Sequence, residues 1–205
     1  ARAHRAPRRS ARRGGPRGAP ATATRLAGGC DAGVVVLGAE AARVRAGSSL
    51  DGPGVRVVDS PDWAPGMASS LRVGVAAALD LVPARGVVAH VDQPGVGPDD
   101  VARLLAAHRP GRVTASRWLA GGAAEDAAGA DRPRWAHPLV LAAALAAPAA
   151  ARAAPAAGSA RGDHGARDCL RAHADLVDVV DHPGDGRDLD TAADLDLLDP
   201  PPRPR

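Results

Sequence analysis

The sequence predicts one α/β domain organised around a mostly parallel sheet. Short runs of valine, leucine and alanine alternate along the chain with segments whose apolar residues recur every three or four positions, and this alternation is typical of strand–helix–strand units. The chain has 205 residues, enough to bury a sizeable core. It contains three tryptophans but no phenylalanine, tyrosine or lysine, so valine, leucine and alanine must fill that core.

The first third of the chain predicts two strands and two helices. An aliphatic run at 34–37 ends at a glycine and predicts the first strand, followed by a helix at 39–45. The valine-rich run at 55–58 predicts the second strand. After a loop, Ser69 or Ser70 is expected to cap a helix, because the apolar residues beyond them recur at helical spacing.

The rest of the chain continues the alternation. The apolar run 86–91 predicts a buried strand, and Pro98 followed by two acids predicts a helix start. A strand is expected at 112–115 and an irregular loop at 116–136. Towards the C-terminus the pattern predicts a helix opened by Pro138, helices at 165–173 and 191–198, and a last strand at 176–180.

Arginines in the first twenty residues carry the positive net charge. The whole chain has a net charge of +3, but seven arginines and no acid lie in 1–20, which leaves 19 basic against 23 acidic residues elsewhere. A mildly acidic body argues against nucleic-acid binding. The composition of residues 1–20 predicts a disordered Arg/Pro/Gly-rich arm. A frame-shifted segment is the alternative, because GC-rich codons read in the wrong frame yield sequences rich in these residues. The domain is expected at 21–199, and 200–205 as a disordered tail.

Cysteine usage and hydropathy predict a cytoplasmic protein. Cys30 and Cys169 have neither metal-type spacing nor a disulfide framework. The alanine-rich stretch 139–157 is interrupted by two prolines and an arginine, which makes it too broken to span a bilayer. The arginine-rich start lacks the apolar centre of a secretion signal. We therefore expect a soluble protein without a membrane partner.

Asp92 follows the predicted strand at 86–91 and is itself followed by Gln93 and Pro94. In open α/β sheets ligands bind at the carboxyl ends of the strands, and a carboxylate there suits Mg²⁺, which bridges to substrate phosphates. An aspartate before a turn also commonly caps the backbone. The position predicts either a metal ligand or such a cap.

Asp188 and Asp190 form a second carboxylate source. One apolar residue separates them, so both side chains point the same way from an extended segment. Two carboxylate sources far apart in the sequence could hold a metal between them. Helix capping by Asp190 and Thr191 is the alternative interpretation.

Two further constellations suit a phosphate-bearing ligand. The loop that begins at Trp63 leads into a helix start, where Ser69, Ser70 and free N–H groups would suit an anion or a base edge, although a simple capped helix explains the same pattern. The second constellation combines His137-Pro138 with Gly162-Asp163-His164-Gly165-Ala166-Arg167. Its basic side chains could contact a substrate phosphate.

Taken in order, these segments resemble the MobA-like NTP transferases, specifically their molybdenum cofactor cytidylyltransferase branch. The resemblance covers about residues 22–198. It is carried by Val34-Val35-Val36-Leu37-Gly38-Ala39-Glu40, Asp62-Trp63-Ala64-Pro65-Gly66-Met67-Ala68-Ser69-Ser70-Leu71, Asp92-Gln93-Pro94, His137-Pro138, 162–167 and Asp188-Leu189-Asp190-Thr191.

The resemblance implies a three-layer α/β/α Rossmann-like nucleotidyltransferase fold. It also implies transfer of CMP from CTP to a molybdopterin-type cofactor, with Mg²⁺ and release of pyrophosphate, and a possible molybdoenzyme partner. By the same resemblance Asp92 and Asp190 would be catalytic, and Asp188 would join them as a metal ligand. Gly66, Ser69 and Ser70 with Asp92 would bind the nucleotide, and His137, Asp163 and Arg167 the acceptor.

The resemblance fails at the N-terminal phosphate loop. Members of the family begin with a strand and a glycine-rich loop that ends in a Pro-Lys pair, whereas residues 1–20 contain neither feature. Reduced activity is therefore expected. Two alternatives stay open: a nicotine blue oxidoreductase-like redox enzyme of the same family, which lacks the support of a GxGxxG fingerprint, and a non-catalytic protein that binds or chaperones the cofactor.

Overall fold

The computed structural model describes the parts of the chain that form the body of the domain. These are residues 26–47, 50, 52–64, 66–119, 135–145, 170–171, 173–184, 186–191 and 194. The two expected arms at 1–20 and 200–205 lie outside the described residues. Most of the expected helices at 165–173 and 191–198 lies outside them as well.

Two parallel strands and two helices form the first part of the domain. Strand β1 (Gly33–Leu37) pairs in parallel with β2 (Val55–Asp59), and helix α1 (Ala41–Gly47) lies between them in the chain. Helix α2 (Met67–Leu79) follows β2 and packs against both strands. These four elements are the predicted ones, each with slightly different ends.

The other four strands form a mixed sheet. They are β3 (Arg85–Val88), β4 (Val113–Trp118), β5 (Ala136–Ala142) and β6 (Val177–His182), hydrogen-bonded in the order β3-β5-β4-β6. Strand β5 runs antiparallel to both of its neighbours, whereas β4 and β6 are parallel. The α/β class is confirmed, and the sheet is more mixed than the alternation alone indicates because β5 is an additional, antiparallel strand.

Helix α3 (Pro98–Ala107) packs against β4, β5 and β6. It begins at the predicted proline, and the Gly97 N–H donates to Asp100 Oδ2 at 2.8 Å. Val101 and Leu104 of this helix are fully buried, as expected for apolar residues spaced by three on one helix face. The main core cluster lies in the mixed sheet and comprises Val113, Ala115, Leu139, Leu141 and Leu170.

The expectation that Pro138 opens a helix is wrong, because Pro138 lies inside strand β5. Leu139, Val140 and Leu141 are almost completely buried and pair with strands on both sides. A central strand buried on both faces has no alternation of apolar and polar residues. Its apolar run therefore merges with the alanine-rich sequence that follows, and periodicity cannot separate the two.

Several element ends also differ from the sequence-based expectations. Strand β4 continues to Trp118, so residues 116–118 belong to a strand rather than to the expected loop, of which 120–134 lie outside the described residues. Strand β3 ends at Val88 rather than at residue 91. In the described part of the chain, none of the helices has the length and apolar character needed to cross a bilayer.

Candidate metal and nucleotide site

Asp92 lies in the loop that joins β3 to α3. Because β3 ends at Val88, the carboxylate stands beyond the strand end rather than directly at it. The loop folds back on itself, with the Val96 N–H donating to the Gln93 carbonyl at 3.3 Å. Asp92 Oδ1 is buried and has no hydrogen-bond partner in the structure. An unsatisfied buried carboxylate oxygen is unfavourable, so this atom fits a ligand that supplies positive charge.

The segment 186–190 brings a second carboxylate to this loop. The Leu189 N–H donates to the Asp92 carbonyl at 2.8 Å, and Gln93 Nε2 donates to the Gly186 carbonyl at 3.2 Å. Gln93 also hydrogen-bonds the carboxylate of Asp188. The structure thus places Asp92 and Asp188, which are far apart in sequence, on two segments that are hydrogen-bonded to each other.

The neighbouring acids repel the ionised carboxylate of Asp188. Burial raises the pKa of Asp188, and the negative charges of Asp92 and Asp190 raise it as well. The hydrogen bond from Gln93 and the charge of His90 act in the opposite direction. Asp188 as a whole residue is exposed, so solvent moderates these effects. A cation between the carboxylates would relieve the repulsion.

The carboxylates form an open arrangement rather than a closed cage. Within the described residues, no group of three or more His, Cys, Asp or Glu side chains is arranged to hold a metal ion. Asp92, Asp188 and Asp190 therefore do not form a complete ligand set by themselves. Mg²⁺ in phosphate-transfer sites typically takes one or two carboxylates and completes its shell with water and substrate phosphates. The pair Asp92 and Asp188 has the oxygen donors for a site of that kind.

Two stacked histidines accompany the carboxylates. The ring of His137 stacks on that of His90, with centroids 3.9 Å apart and planes inclined by 27°. Trp118 Nε1 donates to the His137 carbonyl at 3.1 Å and so fixes the backbone at this point. His90 lies two residues before Asp92 in the same loop, and its charge lowers the pKa of Asp188.

The sequence predicts His137 as a site residue but does not single out His90. The available signal for His90 was its position as the one polar side chain in the run 87–91, two residues before Asp92. Asp163 and Arg167, expected beside His137, lie outside the described residues.

Helix α2 begins differently from the prediction. Its N-cap is Gly66, with φ 123°, and not Ser69 or Ser70. Glycine suits this left-handed conformation because it has no Cβ atom. Ser69 is buried, and its hydroxyl donates to the Gly66 carbonyl at 2.8 Å. The Ser69 hydroxyl thus supports the helix start, while Ser70 is half-buried in the same turn.

The Trp63 loop lies against the end of β1. A Cβ atom added to Gly38, which directly follows β1, would lie 2.9 Å from Trp63 Cβ. The Ser60 N–H donates to the Leu37 carbonyl at 2.7 Å and holds the beginning of this loop to the same strand end. The loop before α2 therefore lies at the carboxyl end of β1, and Asp92 follows the carboxyl end of β3. Ligands of α/β folds bind at such ends.

Comparison with known sequences identifies relatives of this chain. A profile of the MobA-like NTP transferase domain matches residues 10–177. The nicotine blue oxidoreductase of Paenarthrobacter nicotinovorans is 38% identical to the chain over 180 residues, which cover 85% of this chain and 78% of that protein.

Solved structures with the same fold include Rv0371c from Mycobacterium tuberculosis H37Rv. Its crystal structure is 26% identical with a TM-score of 0.64, covering 88% of this chain and 82% of that one. The complex of Rv0371c with manganese is also 26% identical, with a TM-score of 0.61 and coverage of 89% and 84%. A protein with this fold has thus been solved with manganese.

Proposed function

Because the chain belongs to the MobA-like NTP transferase domain family, we propose that it is a nucleotidyltransferase that transfers CMP from CTP to a molybdopterin-type cofactor. Pyrophosphate leaves in this reaction, and a new phosphate anhydride forms with the acceptor phosphate. The observation that carries the proposal is the buried, unpartnered Asp92 Oδ1 on a loop hydrogen-bonded to the segment of Asp188. Such an atom fits a cation that accompanies a nucleoside triphosphate.

Asp92 and Asp188 would hold the divalent cation, and Asp190 would add negative charge nearby. Mg²⁺ or Mn²⁺, when bound, neutralises phosphate charge and aligns the reacting groups. The residues fit this role, because they offer hard oxygen donors and one of those oxygens lacks a partner. The manganese in the Rv0371c complex supports a divalent cation in proteins of this fold.

The remaining residues would bind and orient the two substrates. The helix start at Gly66 and Ser70 would lie by the nucleotide, with Ser69 holding the turn in shape through its bond to the Gly66 carbonyl. His137, with Asp163 and Arg167, would border the acceptor, and the stack on His90 would hold the His137 ring in one orientation. Phosphoryl-type transfer depends on alignment and charge stabilisation more than on acid–base groups, which suits this set.

A second candidate is a redox activity like that named for the relative from Paenarthrobacter nicotinovorans. The 38% identity to that protein favours it. A dinucleotide cofactor would have to bind without a GxGxxG fingerprint, which the sequence lacks. A third candidate is a cofactor-binding protein without turnover that serves a molybdoenzyme partner.

Thermal unfolding with ligands distinguishes these candidates. We expect CTP with Mg²⁺ to raise the Tm of the wild-type protein, and NADPH to leave it unchanged, because only the triphosphate would bring a bound cation to Asp92. The shift should vanish in Asp92→Asn and persist in Asp175→Asn, a control at an exposed acid of the short helix before β6. A shift with NADPH alone would overturn the transferase proposal, and an equal CTP shift in Asp92→Asn would overturn the metal assignment.

Turnover is measured separately, as pyrophosphate released from CTP in the presence of a molybdopterin-type acceptor. Release that requires both the acceptor and Asp92 is the expected result. Binding of CTP and Mg²⁺ without release would favour the third candidate.

A further inference from the structure

A buried polar pair, Asp100 and His182, joins helix α3, which follows the Asp92 loop, to strand β6, which precedes the segment of Asp188. Both residues have 0% exposure. Asp100 Oδ2 accepts the Gly97 N–H at 2.8 Å, and Asp100 Oδ1 lies 3.2 Å from His182 Nδ1. Gly97 closes the loop that carries Asp92, and His182 is the last residue of β6, from which the chain leads on to Asp188. The Asp100 carboxylate thus contacts both the residue that ends the Asp92 loop and the residue after which the segment of Asp188 begins.

Trp118 extends this connection to the segment of Asp188. Its ring lies 4.9 Å from that of His182, inclined by 37°. The same indole covers Gly186, where an added Cβ atom would overlap the ring and where φ is +60°. The Gly186 carbonyl in turn accepts the hydrogen bond from Gln93 Nε2. A continuous ring of contacts therefore connects the Asp100–His182 pair, Trp118, the segment of Asp188 and the Asp92 loop.

The polar character of the pair indicates a geometric role. A fully buried histidine whose Nε2 has no hydrogen-bond partner is unfavourable, and an apolar pair of similar size would stabilise the fold at least as well. Helix α3 needs only an acceptor at its N-cap, which Asp100 supplies with one oxygen. The second oxygen, directed to His182, adds a fixed orientation between α3 and β6.

We propose that Asp100 and His182 are positioning residues that set the separation of the Asp92 and Asp188 carboxylates. The proposal rests on the proposed function in one respect, namely that these carboxylates share a cation. Loss of the pair leaves the apolar contacts of Val101 and Leu104 in place. The domain is then expected to stay folded while the two loops move apart more readily.

Amide hydrogen exchange of Leu189 tests the positioning role without any metal. The Leu189 N–H donates to the Asp92 carbonyl and so reports directly on the contact between the loops. In metal-free protein we expect Asp100→Ala to accelerate this exchange about tenfold or more. Asp99→Ala, at the exposed neighbouring acid of the same helix turn, should change it less than about twofold.

Two further variants sharpen the test. Asp100→Asn should retain slow exchange, because its amide oxygen accepts from Gly97 and its amide nitrogen donates to His182 Nδ1. His182→Leu fills the same volume without the polar contact and should accelerate the exchange of Leu189, which keeps the proposal testable if Asp100→Ala does not fold. Unchanged exchange in whichever of Asp100→Ala and His182→Leu folds would overturn the proposal.

Titration with Mn²⁺ alone, followed by electron paramagnetic resonance, separates this proposal from the proposed function. The affinity should fall about tenfold in Asp100→Ala and His182→Leu, at temperatures where both are folded, and stay near the wild-type value in Asp100→Asn and Asp99→Ala. Accelerated Leu189 exchange in a protein whose wild type binds no Mn²⁺ would support the positioning role and contradict the proposed function. Wild-type Mn²⁺ affinity in both disrupting variants would overturn the positioning role alone.

Discussion

Replacing Asp92 by asparagine should stabilise the metal-free protein while it abolishes cation binding. The buried Oδ1 of Asp92 has no partner, and the negative charge of Asp92 raises the pKa of Asp188. An asparagine has nearly the same shape and removes the charge, so the buried unpaired oxygen no longer belongs to an ionised group. The change therefore removes two unfavourable features of the wild-type apo protein.

The size of this gain follows from those two contributions. Relief of the unsatisfied buried oxygen is worth about 1 kcal/mol, and relief of the repulsion about 0.5 kcal/mol, because Asp188 is exposed and solvent screens its charge. Together they correspond to a rise in Tm of roughly 3 to 6 °C for a chain of this length.

The gain should depend on pH in a defined direction. The pKa of Asp188 is higher in the folded than in the unfolded state, so ionising Asp188 costs folding free energy. That cost is absent below the unfolded pKa of about 4 and complete above the raised folded value. The advantage of Asp92→Asn should therefore be largest at neutral pH and shrink towards pH 4.

Urea unfolding at neutral and acidic pH, in the presence of a chelator, measures both effects. Addition of Mn²⁺ should then stabilise the wild type and leave Asp92→Asn unchanged, which reverses their order. An Asp92→Asn protein that is less stable than the metal-free wild type at neutral pH would contradict this expectation. Equal stabilisation of both proteins by Mn²⁺ would refute it too.

Two predictions concern the scaffold. Asp178 accepts hydrogen bonds from Arg109 and Arg112, which hold its pKa well below the usual range. Asp178→Asn should therefore cost about 1 kcal/mol in urea unfolding at pH 7. The difference should shrink below pH of about 4, where Asp178 takes up a proton in the unfolded wild type while it is still ionised in the folded one; a difference that grows on acidification would contradict this. Gly186→Ala should cost about 2 to 3 kcal/mol, because the methyl group would overlap Trp118 at a positive φ. Gly95→Ala, where nothing lies within 4 Å of the added atom, is the matched control, and an equal loss in both would show that the Trp118 contact is not the cause.

Much of the fold could be predicted because local patterns determine it. Strands β1 and β2 are apolar runs bounded by turn residues, and the start of α3 follows from a proline and two acids. Strand β5 could not be predicted in this way. It lies between β3 and β4 in the sheet, and its consecutive residues Leu139, Val140 and Leu141 are all buried, so its sequence shows neither the alternation of a half-exposed strand nor a helical period.

The candidate site shows the same division between local and long-range features. The meeting of the Asp92 and Asp188 segments could be anticipated, because loops that follow strand ends meet at one side of a sheet. The stack of His90 on His137 and the buried pair of Asp100 and His182 could not. Both depend on packing between elements distant in the chain, and no local spacing indicates which residues will touch.

The proposed function requires Asp92 and Asp188 to hold the divalent cation that accompanies a nucleoside triphosphate. A crystal structure with Mn²⁺ and CTP tests it most directly, because the anomalous scattering of manganese locates the ion independently of the protein atoms. We expect a manganese peak at about 2.1 Å from Asp92 Oδ1, with the Asp188 carboxylate and a phosphate oxygen as further ligands. Bound CTP with its manganese away from Asp92 would contradict it.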